Sequence, residues 1–206
     1  MTAAQLPPPA PIQQLHHYAY KAKDAEETRH FYEDILGLPL FHIIQSDVVP
    51  STGEYCPYTH FFFRLQDGSC IAFFDLGDDE AALPSPNTPL WVNHISFRVN
   101  TVQELEDMKT RLQAEGIEVL GVTDHHIFKS IYFFDPNGIR LELTAQLADA
   151  VQMQKESLTT HARLNEWTER KKLWRAERAA GKTTAPLKPQ HNDRPEFVSP
   201  SAPTTK

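Results

Sequence analysis

Two stretches of the chain repeat the same order of polar and apolar positions. HYAYKA begins the first stretch at His17 and HISFRV begins the second at His94, and both alternate as half-buried strands do. A short polar capping residue follows each predicted strand, Asp24 in one case and Thr101 in the other, and a helical pattern then runs to a glycine. Each half is therefore predicted to begin with a strand and a helix.

Three further strands are predicted after each helix. They are FHII, HFFFRL and CIAFF in the first half, and EVLGV, SIYFF and IRLEL in the second. Turns at QDG and DPNG separate the last two strands of each half. We predict an α+β fold of two tandem βαβββ modules that form one domain, with their sheets curling around a shared cleft.

The segments outside the modules differ in composition. Residues 1–14 and 179–206 are rich in proline and polar residues and are expected to be disordered. The domain is predicted over residues 15–146, with module one at 15–76, a proline-rich acidic linker at 77–90 and module two at 91–146. Near-helical spacing of apolar residues predicts a C-terminal helix over residues 147–178 that docks on the domain or on a partner subunit.

Composition narrows the functional classes. The formal net charge of -7 and the pI near 5.8 argue against a nucleic-acid partner, because no domain-wide basic surface is available. The sequence contains neither a secretory signal pattern nor a run of eighteen apolar residues, so we expect a cytoplasmic protein with no membrane partner. Cys56 and Cys70 are too few for a disulfide framework and are expected to be reduced thiols.

A metal site is predicted from residues at matched places in the two repeats. His17 and His94 occupy the same repeat position, so pseudo-symmetry would bring them together. Glu142 lies in the otherwise apolar strand IRLEL, where an unpaired carboxylate would be costly to bury. Its first-half counterpart is Ala72, or Phe74 after a shift of one pleat, and neither binds metal. Two histidines and one carboxylate with open positions are a ligand set typical of iron(II).

Simpler interpretations compete with this metal site. Both histidines could be ordinary hydrogen-bonded core residues, with Glu142 on a solvent face. His16 is expected to point to the opposite sheet face, so a register error of one residue would exchange it with His17. We prefer His17 because only His17 aligns with His94.

A long pattern in the second module resembles the signature of type I extradiol ring-cleaving dioxygenases, which belong to the vicinal oxygen chelate superfamily with glyoxalase I and bleomycin-resistance proteins. The matching positions are Thr123, Asp124, His125, Ile131, Tyr132, Asp135, Pro136, Asn137, Gly138 and Glu142. The resemblance covers roughly residues 15–145. It implies that His17, His94 and Glu142 bind Fe(II), and that His125 and Tyr132 surround a catecholate.

The same resemblance implies a reaction and exposes a departure. A catechol-like aromatic substrate would be opened by O2, in a protein that family habit suggests is a homodimer. Many extradiol enzymes have a catalytic histidine near the start of the last strand of module one, where this chain has Ser69 and Cys70. His60 or His126 could take its place.

Two other functions remain open at this point. A glyoxalase-like isomerase or lyase would use Mn(II), Zn(II) or Ni(II), although such sites usually recruit a fourth protein ligand. A non-catalytic protein that binds a small molecule would typically lack a metal triad. Substrate identity would depend on loops such as residues 46–60, which are predicted to form a lid.

Overall fold

The computed structural model describes residues 9–83 and 85–189. The disorder predicted for residues 1–8 and 190–206 lies outside the described residues. The described residues divide into two compact units at the boundary between residues 147 and 148. The first unit contains both predicted modules, and the second contains the predicted C-terminal helix.

Each module folds as a four-stranded sheet with one helical segment, which confirms the predicted α+β architecture. Module one contains β1 (His17–Ala22), α1 (Ala25–Arg29), a π-helical segment (His30–Ile35), β2 (Leu40–Val48), β3 (Tyr55–Arg64) and β4 (Cys70–Asp75). Module two contains β5 (Ile95–Val99), α2 (Val102–Ala114), β6 (Leu120–Asp124), β7 (Phe128–Phe134) and β8 (Arg140–Gln146). The sheet orders are β1-β4-β3-β2 and β5-β8-β7-β6, with the first strand parallel to the last in both.

Local signals in the sequence set the helix starts. The Asp24 side chain accepts a hydrogen bond from the backbone of Glu27, and Thr101 forms a reciprocal capping box with Glu104. The segment predicted as a lid is mostly a β-hairpin, because β2 extends to Val48 and β3 already begins at Tyr55. Only a six-residue turn remains between these strands.

An apolar core cluster contains residues of both modules. Phe31, Phe63 and Phe73 of module one belong to the same buried cluster as Leu112 and Phe133 of module two. Burial of this cluster removes one face of each sheet from solvent, which is the main force that holds the modules together. The opposite face of each sheet is left for other contacts.

A polar clamp beside this core links the DPNG turn of module two to the first helix of module one. Tyr32 donates a hydrogen bond to the Asp135 carboxylate at 3.0 Å, and Asn137 Nδ2 donates to Thr28 at 3.1 Å. The backbone amide of Lys23 donates to Asn137 Oδ1 at 2.8 Å. We call these five residues the inter-module clamp. It satisfies buried polar groups that would otherwise be costly.

The second unit contains two helices where one was predicted. They are α3 (Ala150–Ser157) and α4 (Thr160–Ala179). Residues 180–189 return along α4, because Trp174 Nε1 donates to the carbonyl of Ala185 at 2.8 Å and Arg170 donates to that of Lys188. Within residues 9–83 and 85–189, no helix combines the length and apolar character that crossing a membrane requires.

The inter-module clamp yields a stability prediction. Tyr32→Phe should lower the free energy of unfolding by about 1–2 kcal/mol, because it leaves the buried Asp135 carboxylate short of one donor. Urea unfolding measures the change, and Tyr55→Phe is the matched control because Tyr55 is 73% exposed. Equal unfolding midpoints for the two variants would show that the clamp contributes nothing.

Candidate metal centre and its surroundings

The second module brings His94 and Glu142 together. Glu142 lies in the middle of β8 between Ser96 of β5 and Tyr132 of β7, and only 5% of its surface is exposed. His94 directly precedes β5, and its Nε2 lies 3.1 Å from Glu142 Oε2. Two of the three predicted ligands are therefore adjacent within one module.

The hydrogen bond on the far side of the His94 ring shows that this pair suits a cation. His94 Nδ1 lies 3.0 Å from the Val92 carbonyl, which can only accept, so Nδ1 carries a proton. In the neutral ring Nε2 then presents a lone pair to the Glu142 carboxylate. Only a proton or a metal ion between these atoms makes the contact favourable. Adjacent ligands about 2.1 Å from a metal lie about 3 Å apart, which matches the observed separation.

The carboxylate is held in its charged form. Burial raises the pKa of Glu142, but hydrogen bonds from Ser130, Tyr132 and Ser96 and the charge of His94 outweigh burial and lower the pKa below its usual value. An ionised carboxylate, kept in place by three hydroxyl groups, is the state that a divalent cation binds. Both residues present thus fit a metal ion.

Tyr132 and His125 extend the site along the sheet. Tyr132 is the cross-strand neighbour of Glu142, and its hydroxyl lies 2.7 Å from His125 Nε2. Burial raises the pKa of Tyr132 to about 12, and the hydrogen bond to Glu142 and its negative charge act in the same direction. The phenol therefore remains protonated at neutral pH and acts as a hydrogen-bond donor.

The two adjacent histidines of module two differ in position. His126 is exposed and has a φ of 68°, a left-handed conformation that forms the turn, and its backbone amide donates to Asp124. Of these two histidines, His125 is the one whose ring contacts the Tyr132 hydroxyl. The hydroxyl of Tyr132 is thus linked to the nearer of the two proton-handling candidates.

His17, the third predicted ligand, lies apart from this pair. Its ring contacts are with His16, His60 and Phe62, all in module one, and its Nδ1 lies 2.7 Å from His16 Nδ1. His16 was expected on the opposite sheet face, but the two rings are in contact. Among the described residues, no three His, Cys, Asp or Glu side chains converge as metal ligands.

His60 lies on the same face as His17. Its Nδ1 lies 2.9 Å from the Phe73 carbonyl, so Nδ1 carries the proton and Nε2 is an acceptor in the neutral ring. The ring stacks on Phe74 with centroids 3.7 Å apart. Burial lowers the pKa of His60, and the nearby His17 and His42 lower it further. This histidine is a neutral acceptor with a fixed orientation.

The strand register of the two repeats agrees with the prediction, and the packing of the two sheets explains why the triad does not assemble within one chain. Ala19 pairs with Ala72 in module one as Ser96 pairs with Glu142 in module two, so Ala72 is the counterpart of Glu142, as predicted. The repeats are thus correctly aligned. However, the two sheets are not hydrogen-bonded to each other in the described residues, and the shared core lies on their other faces.

Arg140 is a feature of the site that was not predicted from the sequence. It precedes Glu142 by two residues on the same strand face, and its guanidinium lies 4.6 Å from the centroid of the Tyr132 ring. Strand periodicity around Glu142 could have identified it. The dioxygenase-like pattern also includes Asp135 and Asn137, but the structure uses both in the inter-module clamp rather than in the site.

Comparison with known proteins gives one family match over most of the domain. The model of the Glyoxalase/Bleomycin resistance protein/Dioxygenase superfamily matches residues 14–143. This segment includes module one, module two as far as residue 143, and all three predicted metal ligands.

Two curated relatives differ in named activity. MhqA of Bacillus subtilis, which is named as a ring-cleaving dioxygenase, is 38% identical over 53 residues, 26% of this chain and 17% of MhqA. The chain therefore matches only about one sixth of that relative's length. The metallothiol transferase FosB of Staphylococcus saprophyticus is 29% identical over 161 residues, covering 77% of this chain and 93% of FosB.

A solved structure shares the fold. A mutant of the fosfomycin resistance protein FosX from Listeria monocytogenes, complexed with Mn(II) and 1S,2S-dihydroxypropylphosphonic acid, superposes with a TM-score of 0.50 at 22% identity. The alignment covers 69% of this chain and 98% of FosX.

The buried carboxylate gives a metal-binding prediction. Glu142→Gln should lower the affinity for Mn(II) at least about tenfold, because the ionised oxygen adjacent to His94 is lost. Isothermal titration calorimetry measures the affinity. Glu115→Gln, an exposed change at the end of α2, is the control and should bind as the wild type does. Unchanged Mn(II) affinity in Glu142→Gln would rule out this carboxylate as a ligand.

Proposed function

Since the chain belongs to the Glyoxalase/Bleomycin resistance protein/Dioxygenase superfamily, we propose that it is an Fe(II)-dependent extradiol-type dioxygenase acting on a catechol-like aromatic diol. The observation that carries the proposal is the connected group of His94, Glu142, Tyr132 and His125. A metal-ligand pair, a protonated phenol and a histidine follow one another along one sheet face. The partial match to MhqA supports the same chemistry.

We propose that a second copy of the chain completes the metal centre with its His17. β1 and β5 are edge strands, and each begins beside one of the two histidines. The open sheet faces carry exposed apolar side chains that a second copy would cover. They include Phe41, Ile44, Leu120 and Phe134. In a two-fold dimer, His17 of each copy would join His94 and Glu142 of the other.

The protein's part in the reaction is to hold the diol and handle its protons. Iron(II), when bound, supplies coordination positions for two adjacent diol oxygens and electron transfer between the diol and O2. Both oxygen atoms enter the product as the ring opens beside the hydroxyl-bearing carbons, so no further reductant is consumed. Mn(II), Zn(II) and Ni(II) are the alternative occupants, and Mn(II) is present in the FosX complex.

Three side chains have proposed roles around the diol. Tyr132 keeps its proton at neutral pH and donates a hydrogen bond to a developing oxyanion. His125, in contact with the Tyr132 hydroxyl, exchanges the proton that the diol releases. His60 reaches the same space from module one of the second copy, where its Nε2 accepts a hydrogen bond from substrate. This assignment leaves His126 outside the reacting group.

The shared site predicts complementation between two inactive variants. His17→Ala and Glu142→Ala should each bind little metal alone, because every site lacks one ligand. After mixing and exchange of subunits, half of the dimers are mixed and each has one intact site, so about a quarter of wild-type metal binding should return. Elemental analysis of the re-purified dimers measures this. No recovery, with subunit exchange verified by mass spectrometry, would contradict a site shared between copies.

The dioxygenase proposal predicts a difference between adjacent histidines. After anaerobic loading with Fe(II), the wild type should consume one O2 per diol opened. His125→Asn should lower kcat about 100-fold, because proton transfer by a positioned histidine contributes at least this much. The same change at His126 should leave kcat within about twofold, and asparagine tolerates the left-handed backbone there. An oxygen electrode and a panel of catechols provide the measurement.

A second candidate function is a metal-dependent thiol transferase. It is favoured by the FosB match, which covers 93% of that relative whereas the MhqA match covers 17%. Thiol consumption with fosfomycin as the electrophile, in Mn(II)-loaded protein, tests it directly. Thiol transfer without O2 uptake on any diol would replace the dioxygenase proposal. If the metal-loaded protein catalyses neither reaction, the result would favour an isomerase, a lyase or a non-catalytic binding protein.

A further inference from the structure

Arg140, unlike Arg29, Lys21 and Arg111 of the first unit, has no acceptor for its buried Nε among the described residues. Arg29 contacts three carboxylates, Lys21 binds Asp78 at 2.6 Å, and Arg111 donates to backbone carbonyls. Within the described residues the Arg140 side chain has neither a hydrogen bond nor an ion pair, and its Nε is buried without an acceptor. A buried donor without an acceptor is costly, and an oxyanion would supply the missing acceptor.

The position of this guanidinium relates it to the candidate metal centre. Arg140 and Glu142 lie on the same face of β8, two residues apart, and their partners on β7 are Phe134 and Tyr132. The guanidinium rests against the Tyr132 ring, 4.6 Å from its centroid. The cation–π contact fixes the side chain in place, but it provides no acceptor for Nε.

A small pocket lies beside Arg140. Its volume is about 90 Å³, and Glu118, Leu120, Tyr132 and Phe134 are among the residues that line it. A cavity of about 150 Å³ accommodates benzene. The pocket is therefore of a size for a substituent of the substrate rather than for its ring. Leu120, Tyr132 and Phe134 provide apolar surface beside the guanidinium.

The repeat gives independent evidence that Arg140 is not required by the fold. Cys70 pairs with His17 two residues before the Ala19–Ala72 pair. Arg140 likewise precedes Glu142 by two residues, so Cys70 is the module-one counterpart of Arg140. The same backbone position thus accepts a small neutral side chain in module one. At this repeat position, a positive charge is present only in the module that contains Glu142.

From these observations we propose that Arg140 binds an oxyanion group, a carboxylate or a phosphonate, on the substrate of this site. The inference rests on the proposed function for its location and adds a substrate class, namely anionic molecules. Glu118 lines the same pocket but forms no ion pair with Arg140, so its negative charge opposes anion binding. Neutralising Glu118 should therefore strengthen the binding of an anion.

The test uses the metal-loaded full-length protein and calorimetry with two matched pairs of probes. Protocatechuate and 4-methylcatechol are both diols, and only the first carries a carboxylate. Methylphosphonate and benzoate are anions without a diol. Arg140→Met keeps an apolar chain of similar reach and removes the charge, Arg140→Lys keeps the charge, and Glu118→Gln removes the opposing carboxylate.

The proposal expects at least about a tenfold preference of the wild type for protocatechuate over 4-methylcatechol, since charge-assisted hydrogen bonds contribute this much. Arg140→Met should abolish the preference by weakening protocatechuate binding much more than 4-methylcatechol binding. Arg140→Lys should retain part of the preference, and Glu118→Gln should increase it. No preference in the wild type, or a preference that survives in Arg140→Met, would overturn the assignment.

The simple anions separate this proposal from the proposed function. One outcome is that no diol binds, that benzoate or methylphosphonate binds to the wild type, and that Arg140→Met does not bind this anion. In that case the oxyanion site stands and the dioxygenase proposal fails. Stronger binding of benzoate than of methylphosphonate identifies the group as a carboxylate, and the reverse identifies it as a phosphonate. If diols bind and are opened while Arg140→Met has no effect on any anion, only the oxyanion site is wrong.

Discussion

Each four-stranded sheet of this protein has two faces but only one helical segment to cover them. The helices and the shared core cover one face of each, through residues such as Phe73 and Phe133, and the other faces remain open. This constraint determines where chemistry can occur. Glu142, the Tyr132 hydroxyl and His60 all belong to the faces that the helices leave free, and so do the exposed apolar side chains beside them.

The repeat and its register could be predicted from the sequence because both follow from local pattern. Strand alternation, capping residues and glycine turns act over a few residues, and they correctly made Ala72 the counterpart of Glu142. The position of His17 relative to His94 could not be predicted in the same way, because a sequence repeat does not specify which faces of the two modules pack together. The packing of Phe31 against Phe133 makes that choice, and it depends on long-range contacts.

The dioxygenase-like pattern in module two combines two physical tasks. Its first half, His125 and Tyr132, lies at the candidate metal centre, whereas its DPNG turn ties the modules together through Asp135 and Asn137. A relative can therefore keep the turn for stability while its reaction changes. Tyr132 and Glu142, which touch each other, are the more informative pair about chemistry, and Arg140 lies beside them without belonging to the pattern.

The separation of His17 from His94 and Glu142 within one chain makes cofactor occupancy and subunit assembly a single equilibrium in the proposed dimer. Metal would bind the dimer and not the separate chains, so metal binding would favour dimerisation and dimerisation would favour metal binding. Activity would then rise more steeply than the amount of protein when expression is low. A cell that makes little of this chain would hold it mostly as metal-free single copies.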